Sequence, residues 1–247
     1  METALQGLID SVDNLGSSST ITDGVDVGDE GETNISSAVE IAVLLTALSL
    51  LPAILISITS FTRIVIVLSF VRKALSINEL PPNPVLVGLA LFLTSFVMAP
   101  IAGRVYEKSW EPYQAGEIAA MPAAEIAWGE LRTFLIANTR ESELKLFAEM
   151  NNYKMDKDDA ELKENPLPLT VVVPAFVLSE LKTAFQMGFL LFLPFLVIDL
   201  VISSILLSMG MFMLPPVMIS TPFKVLVFVL VDGWHLICQS VVTSFIV

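Results

Sequence analysis

An all-α fold of long hydrophobic helices is predicted by three features of this 247-residue sequence. Hydrophobic residues make up 54% of it and charged residues only 16%, too few to cover a soluble globule. Its mean hydropathy is +0.75. Apolar runs long enough to span a bilayer flank a polar middle, and prolines punctuate them. The chain is therefore of the membrane class or lives inside an assembly. The expected plan is two long kinked hydrophobic helical hairpins, residues 38–103 and 173–247. A small helical polar domain at 104–172 separates them, and an acidic tail at 1–37 precedes them.

Residues 1–40 carry nine acids and no Lys or Arg. Rich in Gly and Ser, residues 1–37 have too little apolar area to order themselves, and disorder is expected there. They show neither a basic n-region nor an apolar h-region, so no ordinary signal peptide is expected. The net charge of −13 argues against nucleic acid, since nothing would neutralise a run of phosphates. Cys238 is the single cysteine, which leaves no disulfide framework or cysteine-based metal site within one chain.

The first apolar block runs from residue 38 to about 59 and continues through "SFTRIVIVLSFVRKAL", with Pro52 as its expected kink. "LPPNP" at 80–84 is a turn, because three prolines deny the backbone its donors. "VLVGLALFLTSFVMAPIAG" at 85–103 is the cleanest spanning candidate. Residues 104–170 hold eight basic and thirteen acidic side chains. There Ile126, Leu131, Leu135, Leu144 and Phe147 fall at helical spacing, which predicts amphipathic helices. Pro174 is placed to open the next helix, which runs towards Gly210 with Pro194 as its kink. The chain then returns through "TPFKVLVFVLVDGWHLICQSVVTSFIV". Three basic residues against one acid in 60–83 put that connection in the cytoplasm, and the tail and polar domain on the periplasmic side.

Charges interrupt the last hairpin at Asp199, Lys224 and Asp232. Only seven apolar residues separate Lys224 from Asp232. A charge at a helix centre in lipid costs roughly 2.5–3.5 kcal/mol, so these groups must pair, snorkel, or face protein and water. An intramembrane aspartyl protease would use Asp199 and Asp232 as a dyad, but the glycine-rich context of such enzymes is missing. A proton-coupled transporter would relay through Asp199, Lys224 and Asp232, although no internal repeat is detectable. His235 has no second ligand at metal spacing. Packing against other protein segments is the plainer reading.

Residues 208–216 read "SMGMFMLPP", and four of the ten methionines lie within 209–218. In a continuous helix Met209 and Met213 share a face and Met211 points nearly opposite, which suits core filling. Gly210 loosens a helix, however, and Pro215 pushes Leu214 from helical angles. Residues 210–216 are therefore expected to form a loop between two antiparallel helices, an apolar tip with little core beneath it.

Three blocks carry a specific resemblance: "TSFTRIVIVLSFVRKAL" (59–75), "PPNPVLVGLALFLTSFVMAP" (81–100) and the run from "VPAFVLSELKTAF" to "VLVDGWHLI" (173–237). They resemble the FliP family of the flagellar type III export gate. That resemblance implies a non-enzymatic subunit without a cofactor, multi-pass in the bacterial inner membrane and placed within the flagellar basal body. It implies a helical ring of several copies with FliQ and FliR, associated with FlhB, through which unfolded flagellar subunits pass. Met211, Phe212 and Met213 would form the gasket of its channel, flanked by Met209, Gly210, Pro215 and Pro216. Phe212 stands where relatives often have another Met, which implies a stiffer seal. Arg63, Glu180, Lys182, Asp199, Lys224 and Asp232 would be buried charges at subunit interfaces. No Walker-type loop is present, so energy for export would come from elsewhere.

Overall fold

The computed structural model describes residues 31–77, 81–153 and 167–246. Among them every regular element is helical. The helices are α1 (Gly31–Ser57), α2 (Phe61–Ala74), α3 (Asn83–Val105), a π turn (Tyr106–Trp110), α4 (Glu111–Gln114), α5 (Ala120–Ala137), α6 (Glu141–Met150), α7 (Leu169–Ser208), α8 (Pro216–Leu230) and α9 (Gly233–Thr243). The all-α class expected from composition is thus the class observed. Of the acidic tail, residues 1–30 lie outside the described residues. From Gly31 onward the chain is helical, so α1 starts inside the stretch expected to be disordered.

Compact units divide within α1, at Met1–Ser49 and Leu50–Val247. The α1 window Val39–Ser57 is apolar on all sides with none of it buried. Its hydroxyls bond back along the helix, Thr46 to the Ala42 carbonyl at 2.7 Å and Ser57 to Ala53 at 2.8 Å. Such back-bonding leaves no unsatisfied polar group for an apolar surrounding to penalise. Pro52 lies within α1 without ending it, and the chain breaks later, at residues 58–60. There the Thr59 and Thr62 hydroxyls both turn to the Ile56 carbonyl, competing with the helical ladder.

The centre of the larger unit is α2. Arg63, Ile64, Val67, Leu68, Val71 and Ala74 recur every three or four residues and are buried. This stripe packs most extensively on α7, and α3 and α9 also lie against α2. Close approach to α7 depends on Gly188: a Cβ there would meet the Phe70 ring at 2.5 Å, where Phe70 stands edge-on to Phe185 at 5.3 Å. On α3 the buried stripe is Leu86, Ala90, Thr94, Val97 and Ile101. Two short amphipathic helices, α5 and α6, cover α7, and α5 also packs on α3. Leu135 and Leu144 are buried, as their spacing predicts, whereas Ile126 is exposed.

Two expectations change. Pro174 does not open α7; the helix begins at Leu169 with Pro168 as its N-cap, and Pro174 sits inside it. Proline preceding a first turn and proline inside an apolar helix look alike in sequence, and Pro168 takes the capping place. The returning segment is also two helices, not one. α8 and α9 meet at 65° where Asp232 adopts a left-handed backbone (φ 51°). Gly233 permits the corner, since a Cβ would fall 2.3 Å from Phe228.

Among the described residues three helices are long and apolar enough to cross a membrane: Val39–Ser57, Asn83–Gln114 and Leu169–Ser208. The bent pair α8 and α9 adds a fourth when read as one span. The Gly188→Ala variant is expected to lose about 1–3 kcal/mol through overpacking against Phe70. Thermal unfolding in detergent measures it, and Gly88→Ala, where a Cβ meets nothing within 4 Å, is the neutral control.

Candidate functional site

The tip between α7 and α8 is built by its backbone. After Ser208 the helix closes in a Schellman motif: Gly210 takes φ 72°, its N–H donates to the Leu207 carbonyl at 3.1 Å, and the Met211 N–H reaches back to Leu206 at 3.0 Å. Glycine is the residue that adopts this left-handed position without a Cβ clash. At the far end Pro215 is the N-cap of α8 and Pro216 its first residue, whose missing N–H would have had no helical partner. The loop thus runs over residues 209–215, one residue earlier than the 210–216 expected from Gly210 and the paired prolines.

Its side chains face outward. Met213 is 97% exposed, Phe212 76% and Met209 67%. Met211 and Leu214 are exposed to a lesser degree, and Met218 on the first turn of α8 extends the patch. Core filling is excluded for Met213 and Phe212 by this geometry.

The buried charges gather in two clusters. Lys224 is fully buried, and its three ammonium donors meet three acceptors: Asp199 Oδ2 at 2.6 Å, Ser76 Oγ at 2.8 Å and the Ala74 carbonyl at 3.2 Å. The Ser220 hydroxyl donates to the other Asp199 oxygen at 2.6 Å. Lys224 therefore ties α8 to α7 and also caps the C-terminal end of α2, where a cation complements the helix dipole. In the second cluster Arg63 grips Glu180 with both arms of its fork, Nε to Oε2 at 2.8 Å and Nη2 to Oε1. Bidentate pairing of this kind is the strong form of the contact.

Five of the six charges expected at subunit interfaces find an opposite charge inside the chain. Arg63 and Glu180 pair with one another inside the chain, as do Asp199 and Lys224. Lys182 reaches Glu143 of α6 at 2.6 Å. A single chain supplies the acceptors because α2, α6, α7 and α8 converge, a convergence invisible to local spacing. Asp232 stands apart at the exposed α8 to α9 corner, so it forms no dyad with the lysine-bound Asp199. Sequence reasoning missed Ser76, Ser220 and Glu143; none of them carries a local signal.

On the polar helices Lys108, by its hydrogen bond at 2.5 Å, and Arg104 at 3.1 Å hold the Glu130 carboxyl below the ordinary glutamate value. Lys182 does the same for Glu143.

The FliP family profile matches residues 44–241. The chain belongs to the FliP family. It is 54% identical over 212 residues to the flagellar biosynthetic protein FliP of Bacillus subtilis (strain 168), covering 86% of this chain and 94% of that one. The FliP of Cereibacter sphaeroides is 49% identical over 215 residues, 87% of this chain and 70% of the relative. That of Caulobacter vibrioides (strain ATCC 19089 / CIP 103742 / CB 15) is 49% identical over 207 residues, 84% and 76% respectively. The FliP match encloses both charge clusters' helical members and the whole methionine tip.

Lys224→Met is expected to destabilise the fold by about 3–5 kcal/mol, because it strands Asp199 beside an apolar group and removes the α2 cap. The double variant Asp199→Leu with Lys224→Met should recover part of that loss, a non-additivity that a double-mutant cycle in detergent measures. Acid should loosen α5 from α3. A depressed folded-state pKa contributes stability above the unfolded value and loses it as pH falls through the folded one. Protection of the α5 amides, relative to their intrinsic exchange rate at each pH, should therefore fall below the ordinary carboxylate range, and Glu130→Gln should remove that dependence.

Proposed function

We propose that this chain is a pore-forming subunit of the flagellar type III protein export gate. In that reading several copies close into a helical ring with FliQ and FliR, beside FlhB, in the inner membrane within the basal body. Unfolded flagellar subunits pass through the centre, and the chain performs no catalysis. The observation that carries the proposal is the exposed tip at residues 209–215, with Met213 97% and Phe212 76% exposed on a capped helical hairpin. An isolated chain gains nothing from presenting those side chains to water. Brought together around an axis, Met211, Phe212 and Met213 would meet one another and exclude ions, and their flexibility would let a chain through.

Helix lengths support a protein environment for the hairpin. At 1.5 Å per residue α8 spans about 22 Å and α9 about 16 Å, each short of the roughly 30 Å hydrocarbon layer. At about 60 Å, α7 is twice that thickness and carries Glu180, Lys182 and Asp199 along its length. Such helices fit an assembly whose subunits cover one another. The relatives' name, flagellar biosynthetic protein, supports that reading.

Changing Met211, Phe212 and Met213 together to Ala is expected to raise ion conductance through the closed assembly. Unchanged conductance in that variant removes the gasket reading. Deleting the gene should abolish motility and hook-protein secretion, and secretion that persists removes the export reading.

A further inference from the structure

A short segment that leaves the end of a helix normally frays unless contacts tie it down. Residues 244–246, which follow α9, are held at each position. Arg63 Nη1 donates to the Ser244 carbonyl at 3.0 Å and to its hydroxyl oxygen at 2.9 Å. Phe245 is buried: the Arg63 guanidinium lies over its ring, 3.9 Å from the centroid, and Phe134 stacks on it at 6.4 Å. Ile246 is bound through its backbone. Asn138 Oδ1 accepts its N–H at 2.9 Å, and Asn138 Nδ2 donates to its carbonyl at 2.8 Å. That two-point exchange is what a neighbouring β-strand would offer.

The slot's walls come from separate elements, Arg63 on α2, Phe134 on α5 and Asn138 just after α5. They are prepared for their occupant. Asn138 is itself buried and oriented by a bond to the Phe134 carbonyl at 2.9 Å. Arg63 serves Glu180 through Nε and Nη2 and leaves Nη1 for the tail. The two arms that hold Glu180 make no contact with the tail. What the slot reads is a short extended peptide: a hydroxyl residue, then an aromatic ring, then a residue recognised by its backbone alone. The FliP match ends at residue 241, before this segment.

We infer that residues 244–246 are a releasable clasp, a self-peptide docked in a peptide-binding slot. α9 packs on α2, α3 and α8, whereas α5 packs on α3, α4, α7 and the π turn. The tail thus links α9 to the segment after α5. Docked, it fixes the C-terminal end of α9; released, it frees that end without breaking the buried ion pair. This inference does not rest on the export reading.

Hydrogen exchange of the full chain in detergent tests it, with Asn138→Ala and Phe245→Ala as variants. In the unaltered protein residues 243–246 should be protected. In each variant they should exchange at least about tenfold faster, with α9 following and α2 and α7 unchanged. A blocked Ser-Phe-Ile peptide at about millimolar concentration, the range of an intramolecular competitor, should speed exchange of the tail, and Ser-Ala-Ile should not. An unprotected tail in the unaltered protein, or protection unmoved in both variants, overturns the clasp. So does loss of protection throughout α2 and α7 in both variants, because the tail would then be core. A Ser-Phe-Ile peptide without effect overturns the slot's releasability.

Discussion

Two buried cations determine where the helices of the larger unit sit. Arg63 is 3% exposed and Lys224 fully buried, so each must be ringed by acceptors or pay the cost of an unpaired charge. Their acceptors come from different helices. Arg63 draws on Glu180 of α7 and on the segment after α9, whereas Lys224 draws on Asp199 of α7 and on Ala74 and Ser76 at the end of α2. α2 is therefore gripped near both ends. Apolar packing alone would not fix this register, because burial is non-directional. In this chain the outer faces of α7 and α8 are as apolar as the inner ones, so hydrophobicity does not tell one from the other. Directional contacts to charges supply that distinction.

The same clusters bear on the bilayer. A charge in lipid is costly, yet α7 carries three charged residues in its 40. Each finds an opposite charge on a neighbouring element: Glu180 with Arg63, Lys182 with Glu143, and Asp199 with Lys224. Neutralised in this way, the helix still presents a surface that is nearly all apolar. Its back-bonded hydroxyls, such as Ser208 to Ile205 at 2.7 Å, add no unsatisfied polar group. Glu143 belongs to α6, so that pair joins α7 to the polar helices.

Local rules were legible in the sequence where local chemistry decides. Gly210 and the prolines at 215 and 216 announce a helix end and a helix start, and the loop lies between them. The amphipathic spacing of Leu135 and Leu144 is equally local. The corner at Asp232 had a signal, an Asp-Gly pair inside an apolar run, but a continuous helix satisfies the hydropathy just as well. Partners of the charges were not legible. Arg63 and Glu180 are 117 positions apart, and Asn138 and Ile246 are 108 apart. No spacing rule connects them, because only the packing of α2, α5, α7 and α9 brings them together.

The tip divides stiffness from softness. Its backbone is fixed at one end by the Schellman bonds of Gly210 and Met211, and at the other by two prolines with constrained φ. Deformability therefore resides in the side chains. Methionine has an unbranched chain with three rotatable bonds, so its end can move without moving the loop that carries it. Phe212 has fewer internal rotations and a broad ring, and among three neighbours it is the stiff one. A seal made of mobile thioethers around a less mobile ring would resist small ions by close apolar contact, yet open through rotamer changes alone. The hairpin behind it, locked by Lys224 and Asp199, would not need to unfold for the tip to yield.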